Sequence, residues 1–162
     1  MRRLSLTLTL AASFTTAHAT DAATSVSRAQ RQVIAYLPDL QAAPLALALK
    51  KAAANGVRVY VIAPRKAHLI RGSFLPSVAL AGAERPPLPL SYHFRTLNSP
   101  AFVLVDNRHG YLGQGLTSGG PDVRALPVND VARLVPFSTD VIRSAPAQPA
   151  RVLLKERYGL PY

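Results

Sequence analysis

A mixed, mostly parallel α/β sheet flanked by helices is predicted by three features of this 162-residue chain. The compact run Val33-Ile34-Ala35-Tyr36-Leu37 is β-branched and aromatic and is bounded by Pro38-Asp39, as a buried strand is. Leu40 to Asn55 follows with Leu45, Leu49 and Ala52 at helical spacing, and Asn55-Gly56 supplies a stop. Val57 to Ala63 then alternates as a second strand. A strand, a helix and a strand in so short a span form a βαβ unit, whose strands pair in parallel through a right-handed crossover.

The remaining elements follow in order. Gly72 to Gly82 reads as a helix or a loop, with Pro76 as an interruption. Arg85 to Pro89 is a rigid extended spacer. Leu90 to Phe94 is a short strand, and Ala101 to Asp106 a clear one. Asn107-Arg108-His109-Gly110 makes a hairpin turn, Tyr111 to Gly113 returns, and Thr117 to Asp122 is a Gly-rich loop. Arg124 to Val128 is a further strand. Asn129-Asp130 caps a final helix through Val131, Leu134 and Val135, kinked at Pro136. Asp39 is read as a cap of the earlier helix.

The start of the chain reads as an address. Arg2-Arg3, an apolar run from Leu4 to Phe14 and Ala17-His18-Ala19 have the three parts of a secretory signal, in order, with cleavage expected after Ala19. Residues 1–19 are therefore expected to be a signal peptide, 20–27 a flexible lead, 28–143 the folded domain, and 144–162 a Pro/Ala linker with a basic tail. The expected destination is export, to the periplasm or beyond, with no transmembrane segment in the mature chain.

Composition narrows the chemistry. With 49% apolar and 17% charged residues the chain is globular, and its length suits one core. The absence of cysteine excludes disulfides, thiol catalysis and thiolate-held zinc. No metal or cofactor is expected, because the few carboxylates show no metal-ligand spacing. The net charge of +11 rests on 15 Arg and 4 Lys; the signal would remove two arginines and leave +9. Such an excess favours anionic partners: nucleic acid, phospholipid head groups or polyphosphate.

The order of elements and several strings resemble the phospholipase D-like superfamily. VIAYLPD followed by QAAPLALALKKAAANGVRVYVIA is similar to its opening; AFVLVD-NRHG-YLGQGLTS is similar to its signature strand-turn-strand; RALPV-ND and a helix are similar to its closing unit. The resemblance covers residues from about 26 to 143. It implies an HxKxxxxD motif followed by GSxN, in which the histidine attacks phosphorus, the lysine holds phosphoryl oxygens, and the serine and asparagine hydrogen-bond the developing charge. With Asp106 as the motif aspartate, the histidine position is Ser99 and the lysine position Ala101. Gly113 matches the motif glycine, while Gln114 stands for the serine and Leu116 for the asparagine. The aspartate and glycine survive; the nucleophile and the cation do not.

The resemblance thus implies a non-catalytic binding or assembly domain for a phosphate-rich or anionic ligand. Arg58, Arg65, Lys66, Arg71, Arg95 and Arg108 are the expected anion-binding residues. The alternative is a working phosphodiesterase, nuclease or phospholipase, with a relocated nucleophile served by His93 or His109. Single-motif members of the family complete their site across a two-fold axis, so this reading requires a homodimer. His68, among basic neighbours, is expected in a solvated loop.

Overall fold

The computed structural model describes residues 16–84 and 86–159. Their order is β1 (Thr16–Ala17), α1 (Ala19–Ser27), β2 (Gln32–Tyr36), α2 (Ala43–Ala54), β3 (Arg58–Ala63), a 3-10 turn (Ala67–Leu69), α3 (Leu75–Ala81), β4 (Leu90–Phe94), β5 (Phe102–Val105), β6 (His109–Leu112), α4 (Gly115–Ser118), β7 (Val123–Ala125), α5 (Val128–Ser144) and α6 (Ala150–Tyr158). The strands form one sheet in the order β1-β7-β6-β5-β2-β3-β4.

The α/β class and the mixed sheet are as the sequence predicts. β2 pairs in parallel with β3, and β3 with β4, which carries the βαβ unit into a third strand. The other pairings, β2–β5, β5–β6, β6–β7 and β1–β7, are antiparallel, a larger antiparallel share than expected. The β5–β6 turn spans only Asp106 to Arg108, as an antiparallel hairpin allows, while the β6–β7 connection, residues 113–122, carries α4.

Alternation along the strands builds two cores. Val33 and Ala35 of β2, Val59 and Val61 of β3, and Val103 and Val105 of β5 face α1, α2, α3 and α6. Ile34, Tyr36, Ile62, Phe102 and Leu104 point the other way, onto Val131 and Val141 of α5. The period of two splits each strand between opposite helical layers, so nearly every strand residue is apolar.

Several elements differ from expectation. The segment expected as a flexible lead is helix α1, with Ala22, Ala23 and Val26 buried against α2. Its Ala/Thr/Ser composition lacks a large apolar stripe, but small residues let it lie close on the Ala-rich α2. Pro76 does not interrupt α3; it occupies the first turn, where its missing N–H has no helical partner to lose. Helix α2 starts at Ala43 without a side-chain cap, and Asp39 instead holds the preceding loop through the Leu40 N–H (2.7 Å) and the Gln41 amide (2.8 Å). Helix α5 starts at Val128, with Asp130 already in its first turn, and runs on through Pro136. The expected linker narrows to residues 145–149, because the basic tail forms α6. The expected signal falls largely on residues 1–15, outside the described residues; of its last four, Thr16–Ala17 pairs with β7 and Ala17 is buried.

Close backbone approach fixes the end of the sheet opposite the β5–β6 turn, where β6 leaves toward α4. Gly113 has φ 142°, and a Cβ there would lie 2.2 Å from the Asp122 carbonyl oxygen. Gly56, at the end of α2, has φ 82° but open space around it. Gly56→Ala should therefore cost only the left-handed backbone penalty, about 1–2 kcal/mol. Gly113→Ala must also push two chain segments apart and should cost more than about 3 kcal/mol in urea unfolding.

Candidate functional site

The site that the resemblance implies lies where β2, β3 and β4 end and β5 begins. Ala101 immediately precedes β5, and its carbonyl accepts the Gly113 N–H at 2.9 Å, so the motif's lysine and glycine positions are held side by side. Ala101 is buried and carries no polar group. Ser99 is half-buried, and its hydroxyl donates to the Pro100 carbonyl at 3.0 Å. Gln114 is exposed and starts the turn into α4, while Leu116 is wholly buried in the core. A hydroxyl turned to its neighbour's carbonyl, an apolar methyl and a core leucine thus stand where the resemblance implies a nucleophile, a phosphoryl-holding cation and an amide donor.

Asp106 stands at the far end of β5, about 17 Å along the strand from Ala101. Its carboxylate accepts backbone N–H groups from Gln30 (3.0 Å), Arg31 (2.8 Å) and Gln32 (3.1 Å). Partial burial opposes its ionisation, yet the three N–H donors and the Arg31 charge outweigh it and hold the carboxyl below the usual range. Asp106 and Asn107 both adopt positive φ (52° and 60°), which tightens the β5–β6 turn. Asp106 is a structural clamp.

His93 is not near the motif positions. It lies in one cross-sheet row with Ile62, Tyr36 and Phe102, three strand spacings from β5, or about 14 Å. Its ring is buried, with Nδ1 2.8 Å from the Ala145 carbonyl and Nε2 2.9 Å from Ser91 Oγ. The carbonyl only accepts, so Nδ1 carries the proton and Nε2 accepts from the Ser91 hydroxyl. That pairing fastens β4 to the chain leaving α5, reinforced by the Gln148 N–H on the Tyr92 carbonyl at 2.6 Å. His109 is exposed at the start of β6, at the Asp106 end of the sheet. Neither histidine can serve Ser99.

The six expected anion-binding residues do not share one edge. Arg65, Lys66 and Arg71 follow β3, and Arg95 follows β4, with its N–H on the Ala63 carbonyl at 2.9 Å. Arg58 begins β3 and Arg108 sits in the β5–β6 turn, both at the opposite edge. The six-residue β3 alone separates Arg58 from Arg65 by about 20 Å. Of the first group, Arg65 is engaged by Glu156 at 3.5 Å and lies over the Phe94 ring at 5.7 Å. Lys66, Arg71 and Arg95 are exposed and form no ion pair among the described residues.

His68, expected in solvent, is fully buried beneath this edge. Its Nε2 lies 2.9 Å from Glu156 Oε2, and its ring packs against Phe94. Arg157 donates to the His68 carbonyl and, at 3.0 Å, to that of Ile70, so α6 latches onto the 3-10 turn. The missed signal was Glu156-Arg157 in the tail, two charges able to seal a buried ring from a distant part of the chain. Among the described residues no three His, Asp or Glu side chains gather as a metal site, and no helix is long and apolar enough to cross a membrane.

No family model matches the sequence, and no curated protein matches it. Solved structures share the fold. NucT from Helicobacter pylori superposes with a TM-score of 0.61 at 13% identity, over 80% of this chain and 91% of that one. The phospholipase D family member Nuc from Salmonella typhimurium gives 0.56 at 14%, over 78% and 87%. A phosphatidylserine synthase from Haemophilus influenzae gives 0.57 at 16% over 84% of this chain, which spans 41% of it. These likenesses define the class: the protein has the phospholipase D-like fold.

Two outcomes test the structural roles. Asp106→Ala strands three backbone donors and should cost about 2–4 kcal/mol in urea unfolding. Burial lowers the His68 pKa from its ordinary 6.5 against the pull of Glu156, so the folded chain takes up its proton less readily than the unfolded chain. That contribution to stability is complete well above pH 6.5 and is lost as the pH falls below it. The melting temperature should drop between about pH 7 and pH 5, and less steeply in His68→Gln.

Proposed function

We propose that this chain is an exported, catalytically silent phospholipase D-like domain that binds phosphate-rich anions at the C-terminal edge of its parallel strands. The observation that carries this reading is the pair Ser99 and Ala101. At the positions of the nucleophile and the phosphoryl-holding cation stand a hydroxyl bonded to the next carbonyl and a buried methyl. Beside that same edge, Lys66, Arg71 and Arg95 are exposed and, among the described residues, in no ion pair, which supports holding phosphate without cutting it. The fold neighbours include a phospholipase D family member and a phosphatidylserine synthase, which supports phosphodiester-type ligands.

Export belongs to the same reading. Cleavage after Ala19 would take away β1, whose Ala17 pairs with Val123, and so must precede folding. The intact mass of the chain recovered from fractionated cells checks this, with Thr20 as the expected first residue.

The binding reading is tested with a labelled single-stranded oligonucleotide and with vesicles containing phosphatidylglycerol. Binding should weaken steeply between about 50 and 200 mM salt, as bound cations are released from phosphates. Lys66→Ala combined with Arg95→Ala should weaken it about tenfold, and the preferred probe names the ligand class. Bis-p-nitrophenyl phosphate should not be turned over. Turnover that vanishes in His93→Ala or His109→Ala would sink the claim of silence.

A further inference from the structure

The opposite edge of the sheet carries a second, separate feature. A cavity of about 540 Å³ opens between the outer face of α1 and the β5–β6 turn. Three arginines line it: Arg28 at the end of α1, Arg31 just before β2, and Arg108 in the turn. His109 and Tyr111, two residues apart on β6, line it from the sheet. Val105 is the one aliphatic residue of the lining. Only Arg108 of this group figures among the cations legible in the sequence.

Two carboxylates also line the cavity, and both are already engaged. In the full chain Asp21 takes the His18 N–H at 2.8 Å, a bond that cleavage after Ala19 would remove. Asp106 takes the three N–H groups of Gln30, Arg31 and Gln32, which hold it ionised with its oxygens turned to the backbone. The three guanidiniums are exposed, the Arg31 charge acting also on Asp106, and among the described residues the ion pairs are those of Glu156, at the other edge. Three arginines against two occupied carboxylates leave a concave, positively biased wall.

We propose that this cavity is a binding site for a compact phosphate-bearing small molecule. Its volume falls within the range of small-molecule pockets, about 300–1,000 Å³. Guanidinium forks match both carboxylate and phosphate oxygens. A terminal phosphoryl group presents three oxygens on one centre, one for each arginine, whereas citrate spreads its oxygens over three separate planar carboxylates. The polar lining disfavours an apolar ligand. The nearby His109 adds a ring nitrogen that can donate to a fourth oxygen.

The test is calorimetric titration of the full chain with inorganic pyrophosphate at about 150 mM chloride, with citrate as the carboxylate comparator. One pyrophosphate should bind per chain, and citrate should bind at least tenfold more weakly. Arg28→Ala combined with Arg108→Ala should weaken pyrophosphate binding at least tenfold. Both side chains are exposed and support no hydrogen bond, so the melting temperature should stay unchanged; Arg28→Gln with Arg108→Gln serves as a second pair. Lys66→Ala with Arg95→Ala, at the other edge, should leave pyrophosphate affinity within about twofold. The proposal is overturned if pyrophosphate gives no saturable heat, if citrate binds equally well, or if the folded Arg28 and Arg108 variants bind like the parent. Because the two edges are probed by different substitutions, failure here leaves the reading of the first edge standing, and the reverse holds equally.

Discussion

One carboxylate joins the two halves of this sheet. The parallel half, β2-β3-β4, and the antiparallel half, β5-β6-β7, meet at the β2–β5 pairing. Asp106 closes that seam at its end, drawing in three consecutive N–H groups where the chain enters β2. Consecutive backbone donors have no strand partner at such an entry, so an anion there satisfies several orphan groups at once. The clamp also sets the pairing of Val33 with Val105, and the pairing then carries along β5 to place Ala101 beside Gly113 at the far edge.

Seen this way, the pattern of what the motif keeps and loses has a physical reason. Asp106 and Gly113 are the two positions whose side chains, or lack of one, the fold itself needs. The aspartate satisfies backbone, and the glycine admits the Asp122 carbonyl at a distance no Cβ allows. The histidine, lysine, serine and asparagine positions answer to substrate alone, and here they hold Ser99, Ala101, Gln114 and Leu116.

Much of the architecture was legible because strand and helix periods speak locally. The runs 33–37, 57–63, 90–94 and 101–106 each lie on a strand of the sheet, shifted by no more than a residue at either end. Helix α1 was not legible, since its small polar residues bury only against a particular neighbour, the alanine face of α2. Arg58 and Arg65 look adjacent in sequence, yet a single strand carries them to opposite edges. Conversely Arg108 is about eighty residues from Arg28 and Arg31 and meets them only because Asp106 ties the turn to the entry of β2. His68 shows the same limit: its burial depends on Glu156 and Arg157, nearly ninety residues later in contact with the same turn.

Both margins of the sheet are closed by very short pieces of chain. β4 is met by a single bridge at Ala147, and β7 by the two residues of β1. An open strand margin invites pairing with another molecule, and such brief covers are enough to deny it a template. Maturation after Ala19 would strip one cover and leave Val123-Arg124-Ala125 bare. The newly opened margin would then be only three residues long with a cation at its centre, so length and charge would replace the lost strand as its guard against self-association.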